Sequence, residues 1–125
     1  MQKRLRLGMV GGGQGAFIGA VHRIASRIDD RYELVAGCLS STSDKASLSA
    51  KEIGIDSSRS YPDFKSMAEA EASREDGIEV VSIVTPNHMH ASPSIEFLKK
   101  GIHVIWRYNR YNLNTIFSRC FCLCH

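Results

Sequence analysis

The residues best suited to chemistry fall in two clusters, one of glycines near the start of the chain and one of Thr, Pro, Asn and His further on. The first reads Gly8-Met9-Val10-Gly11-Gly12-Gly13-Gln14-Gly15-Ala16-Phe17-Ile18-Gly19. Glycines permit positive φ, and their missing side chains let a diphosphate approach backbone N–H groups at a helix N-terminus. Two spacings fit. Gly11-x-Gly13-x-x-Ala16 matches the dinucleotide fingerprint directly; alternatively the loop is three residues longer and Gly19 supplies the close packing of helix on strand. A P-loop is excluded, because no Gly-Lys-Ser/Thr ends the run. Gly11-x-Gly13-x-Gly15 also fits the methyl-donor loop of S-adenosylmethionine-dependent methyltransferases, but those usually carry an acid before the first glycine, where Met9 and Val10 stand. The diphosphate site is therefore expected at Gly11, Gly13, Gln14 and Gly15.

The second cluster is Thr85-Pro86-Asn87-His88, directly after the apolar, β-branched run Ile78 to Val84. In an open α/β sheet, ligands bind at the carboxyl ends of strands, where this stretch must lie. Pro86 stops the strand and stiffens the loop. His88 and His90 have one residue between them and no carboxylate or Cys nearby, a poor metal set. No catalytic residue and no metal site is expected there. His22 reads as a packed or capping histidine and His103 as structural. At the end of the second strand, NAD-preferring folds place Asp or Glu against the ribose hydroxyls. Here the tip reads Ala36-Gly37-Cys38-Leu39-Ser40-Ser41-Thr42-Ser43, and Asp44 is better explained as a helix cap. Ser40 and Ser41, with Lys45 nearby, suit a 2′-phosphate that no acid repels, so the expected cofactor is NAD(P) with a lean to NADP.

These clusters need elements to hold them. Leu5, Leu7, Met9 and Val10 predict a buried strand running into the glycines. Ala16 to Ile28 follows as a helix, with Phe17, Val21, Ile24, Ala25 and Ile28 at helical spacing. Tyr32 to Leu39 predicts a second strand. Ser43 or Asp44 caps a helix through Ile53, which Gly54 stops. A short third strand is expected around Tyr61, then a helix capped by Asp63 and running to about Ala72. Ile78 to Val84 has the composition of a central parallel strand. Ser92 to Lys100 is a helix stopped by Gly101, and His103 to Ile105 a fifth strand. Alternating strands and helices imply an α/β fold, a doubly wound parallel sheet with helices on both faces.

At 125 residues the chain has room for one domain with one real core. No apolar run approaches the ~20 residues of a membrane-spanning helix. Of the 16 Lys and Arg residues, Arg107, Arg110 and Arg119 fall after residue 105, where none of the 13 acids lies. The body is neutral and the tail carries the whole net charge of +3, so no basic face for nucleic acid is expected. The same tail holds Cys120, Cys122 and Cys124 of the 4 cysteines and none of the 10 glycines. Structural zinc sites usually leave two or more residues between paired ligands, so Cys120-x-Cys122-x-Cys124-His125 reads as an apolar, strand-like end. Cys38 in a strand fits a reducing cytoplasm rather than a disulfide scaffold.

Residues 4–105 resemble the N-terminal domain of the Gfo/Idh/MocA family, the glucose-fructose oxidoreductase and inositol dehydrogenase group. The resemblance rests on Leu7 to His22, on Tyr32 to Ala36, on Tyr61-Pro62-Asp63-Phe64, and above all on Val80 to His90 leading to Gly101-Ile102-His103-Val104-Ile105. It implies a Rossmann-type NAD(P)-binding domain over residues 1–105, with Thr85, Pro86, Asn87 and His88 beside the nicotinamide and its ribose. It implies that His90 helps to start the next helix and shape the loop.

Family enzymes continue after the fifth strand with Glu/Asp-Lys-Pro, whose lysine assists proton transfer, and with a second domain that shapes the sugar pocket. Here Ile105 is followed by Trp106-Arg107-Tyr108-Asn109-Arg110, with no Lys-Pro beyond it. The expectation is a catalytically incomplete member in which residues 106–125 are an atypical tail, for which a frameshift, a mis-called reading frame or a degenerate gene is an origin. The alternative is a non-enzymatic dinucleotide-binding or interaction fragment. Substrate choice and oligomeric state belong to the part these residues lack.

Overall fold

A strand that is apolar on both faces needs cover on both, and the sheet here receives it. A computed structural model of the protein describes residues 3–106. Four parallel strands, β1 (Leu5–Val10), β2 (Tyr32–Cys38), β3 (Val80–Ile83) and β4 (His103–Trp106), lie in the order β2-β1-β3-β4. Between them run α1 (Phe17–Ile28), α2 (Ser43–Ile53), α3 (Phe64–Ala72) and α4 (Ala91–Lys99). On one face, Met67 and Ala68 of α3 and Phe97 of α4 pack on Val10, Ala36, Val81 and Ile83. On the other, Ala50 of α2 and Ile55 pack on Met9 and Leu39. The result is the doubly wound α/β sheet. The chain steps outward from β1 to β2, then returns to the other side of β1 as β3, so the winding reverses between β1 and β3.

The third strand is not one. Its place beside β2 is taken by a single parallel bridge, Gly37 to Ser60, with Tyr61 N–H donating to Gly37 O at 2.8 Å. Tyr61 turns inward instead, and its hydroxyl donates to Glu71 Oε1 at 2.7 Å. Glu71 is fully buried and also accepts from the guanidinium of Arg59 and from Ile78 N–H. Burial alone would raise its pKa, but hydrogen bonds from Arg59 and Tyr61 hold the carboxyl below its ordinary range. The segment is thus tied down through side chains, so it needs no ladder.

The first helix forms where the spacing predicts it, with its apolar stripe turned outward. Phe17, Val21, Ile24 and Ile28 point away from the sheet, and Phe17 and Ile28 are 78% and 80% exposed. Gly19 is its one fully buried residue, and the partly buried His22, Arg23 and Ser26 share its face. His22 Nδ1 lies 2.7 Å from Ser82 Oγ on β3. Ser82 is a polar residue on an otherwise apolar central strand, and it gives the helix a polar partner. Periodicity finds the stripe but does not say which side meets the sheet.

The caps are mostly where local chemistry puts them. Asp63 accepts from Ser66 N–H at 2.8 Å, and Gly54 ends α2 in the left-handed region at φ 85°. The N-cap of α2 is Thr42, just before the expected Ser43 or Asp44, and makes no side-chain cap bond. Among the described residues no helix is long and apolar enough to cross a membrane. Apart from Trp106, the atypical tail with its three cysteines lies outside the described residues.

Candidate functional site

Three loops meet at the carboxyl end of the sheet, over the point where its winding reverses. The first is the glycine turn. Gly11 N–H donates to Cys38 O at 2.8 Å and Gly13 N–H to Leu39 O at 3.1 Å, so the turn is sewn to the tip of β2. Gln14 N–H donates to Ser49 Oγ, and Gln14 Nε2 donates to Glu52 Oε1 at 2.7 Å, so this side chain is committed to α2. Ala16 N–H closes back on Gly13 O at 3.0 Å. The amides of Gly15 and Phe17 have no protein acceptor among the described residues, and α1 has neither a side-chain cap nor an acid in its first turn. An anion meeting this turn would find its donors at Gly15 and the start of α1. Gly11 and Gly13 contribute chiefly through the side chains they lack.

That space is tight. A Cβ on Gly11 would stand 3.0 Å from Thr85 Cγ2 and 3.2 Å from Thr85 N, and φ there is +80°. A Cβ on Gly13 would stand 2.6 Å from Leu39 O. Gly12 is buried at φ +77°, and a Cβ on Gly19 would lie 2.4 Å from Gly12 Cα. Of the two spacings, the longer loop is the one that forms, with Gly19 as the glycine that lets helix meet strand. Neither spacing assigns a role to Gly12. Nor does either assign one to Arg23, whose Nη1 donates to Gly12 O at 2.8 Å and lies 3.7 Å from Met9 Sδ. Its one sequence signal is its place four residues after Gly19, on the same face of α1.

The second loop is the β2 tip. Ser40 Oγ and Thr42 Oγ1 are 3.2 Å apart, and Thr42 N–H donates to Ser40 Oγ at 3.3 Å. Ser41 and Lys45 are exposed. No carboxylate stands at the tip itself, and Asp44 sits in the first turn of α2.

The third loop follows β3. Thr85 Oγ1 donates to Met89 O at 3.3 Å, and Met89 N–H donates to Pro86 O at 2.8 Å, across a turn of 3-10 helix at Asn87–Met89. Pro86 and His88 are exposed. His90, buried at the N-cap of α4, places Nε2 2.6 Å from Thr85 O and its ring 5.1 Å from that of Trp106. It braces the loop from below. The structure therefore brings Gly11 against Thr85, ties Gly13 to Leu39 next to Ser40 at the β2 tip, and turns the side chain of Gln14 toward α2.

The residues that meet here match a family known from its sequence pattern: the model of the Gfo/Idh/MocA group, described as an oxidoreductase family with an NAD-binding Rossmann fold, covers residues 5–107. The chain belongs to this family. Among Gfo/Idh/MocA relatives, an uncharacterized oxidoreductase of Bacillus subtilis, YfiI, is 41% identical over 106 residues, which are 84% of this chain and 27% of the relative. An oxidoreductase from Sinorhizobium meliloti superposes with a TM-score of 0.81 at 67% identity, over 84% of this chain and 29% of that one. An inositol dehydrogenase homolog from Azotobacter vinelandii, solved in complex with NAD+, gives 0.80 at 38% identity, over 83% and 27%. The chain thus spans less than a third of the length of these relatives, and its match is to their NAD-binding part.

Proposed function

We propose that residues 1–105 form a module that holds a nicotinamide dinucleotide across the three loops, with residues 106–125 as a separate tail. The diphosphate lies on Gly11, Gly13 and Gly15, the adenosine ribose beside Ser40 and Ser41, and the nicotinamide side along Thr85, Pro86, Asn87 and His88. The observation that carries this reading is the packing of Gly11 against Thr85 at the reversal of winding, which brings the glycine turn to the loop after β3, while Gly15 beyond it stands in open space with no protein acceptor for its amide among the described residues. The β2 tip, lacking an acid, favours the 2′-phosphate of NADP.

When bound, the nicotinamide ring accepts or donates a hydride. The alcohol substrate must lose a proton in the same reaction, and that demands a positioned base. Neither Lys99 nor Lys100 serves: both lie at the exposed end of α4, and no Lys-Pro follows Ile105. The role read here for residues 1–105 is to hold the cofactor.

Titration with NADPH and NADH, read through quenching of Trp106, tests both parts. Binding of NADPH more tightly than NADH, without turnover of any polyol, is the expected result. Tighter binding of NADH removes the lean to NADP, and turnover overturns the claim of incompleteness. The exposed stripe on α1 favours a second reading, an interaction protein that keeps the fold, which binding of neither nucleotide would support.

A further inference from the structure

We propose that Arg23 is a positioning residue for the glycine turn: it fixes the Gly12–Gly13 peptide and sets an unshared positive charge beside it. The inference rests on the dinucleotide reading for its purpose, though not for its geometry. Gly12 has positive φ and, with glycines on both sides, little of its own to hold it in one conformation. The peptide that follows is gripped at both ends. Its carbonyl oxygen accepts from Arg23 Nη1 at 2.8 Å, and its N–H donates to Leu39 O at 3.1 Å. Rotation of this peptide would break both bonds together and change the direction in which Gln14, Gly15 and the first turn of α1 leave it.

Arg23 is also unusual as a charge. It is partly buried between α1 and the sheet, and among the described residues it forms no ion pair with a carboxylate. Desolvation and the neighbouring Arg27 both lower its pKa, as expected of a cation held without a counter-ion. Arg23 lines a cavity of about 460 Å³ together with Gly13, Gln14, Gly15, Ala16 and Phe17, the residues of the turn itself. A partly buried cation without an acid beside it is a cost to the fold, and a doubly charged diphosphate arriving at the turn would offset it.

The test uses the whole 125-residue chain and three variants, Arg23→Met, Arg23→Lys and, as a charge control at an exposed site of the same helix, Arg27→Met. NADH affinity is measured by fluorescence, amide exchange of Gly13 by NMR, both at a temperature where every variant is folded. In Arg23→Met, affinity is expected to fall about tenfold or more, the scale of one charge-assisted hydrogen bond. Gly13 exchange is expected to quicken in the same variant. Arg23→Lys should recover part of both, and Arg27→Met neither lose affinity by more than about twofold nor alter exchange. Loss of affinity with Gly13 exchange unaltered overturns the positioning role, leaving only a charge effect, and affinity within twofold of the parent overturns it outright. If the parent binds neither NADH nor NADPH, the dinucleotide reading fails by itself and exchange alone decides: quicker in Arg23→Met, the grip on the turn stands; unaltered, it falls as well.

Discussion

At Gly19 an added methyl group would lie 2.4 Å from Gly12 Cα and 2.7 Å from Gly12 O, both backbone atoms that cannot swing aside. Alanine favours a helix over glycine by about 1 kcal/mol, which on propensity alone makes Gly19→Ala stabilising. Overpacking of this kind costs about 1–3 kcal/mol, and here it also pushes α1 off the turn that opens it. We therefore expect Gly19→Ala to lose stability in urea unfolding and to weaken dinucleotide binding; a gain in stability would contradict the packing. Gly19 was visible in the sequence as one of two alternative spacings, and only the approach of the two backbones chooses between them. Arg23 was invisible, because an arginine at that spacing looks the same whether it reaches solvent or a carbonyl oxygen. Thr85 and Ser40 were visible because they stand directly after runs that could only be strands.

Elements show the same division between what is local and what is not. Asp63 and Gly54 were readable from the sequence, because a cap depends on its neighbours along the chain. The bridge at Ser60 was not, because whether an extended segment pairs depends on what else secures it, and Tyr61 is secured through Glu71. In α1 the spacing reveals an apolar stripe, but which side meets the sheet is decided only by packing. Inverted amphipathicity makes a direct prediction about stability. Phe97 of α4 is wholly buried, and Phe97→Ala should cost about 3–5 kcal/mol. Ile24 of α1 is 63% exposed, and Ile24→Ser should change stability by no more than about 0.5 kcal/mol. Chemical denaturation of the two variants distinguishes this from a helix that buries its stripe, for which both would be costly.

For the molecule as a whole, protonation sets the limits of the fold on both sides of neutrality. Glu71 is ionised, and its carboxyl is held below the ordinary range, so it contributes stability above about pH 4 that is lost as pH falls through its lowered value. Cys38 is pushed up to about 11 from 9.0, first by burial and then by Asp63, and Tyr61 to about 12 from 10.0, first by burial and then by its bond to Glu71. Raised values in groups that are neutral when protonated act in the opposite direction: their contribution is whole below about pH 9 and fades as pH rises toward 11 and 12. The melting temperature should hold near neutral pH and decline toward both extremes. A plateau extending unchanged from about pH 9 to 11 would show that neither group is as buried as described. The thiol of Cys38 has one more consequence. Sealed in β2 against Val10 and Met67, and protonated at neutral pH, it presents no nucleophile to an alkylating reagent until the sheet itself comes apart. The rate at which this sulfur is captured, followed separately from Cys120, Cys122 and Cys124, is therefore a clock for the opening of the sheet, wound into the chain without any added label.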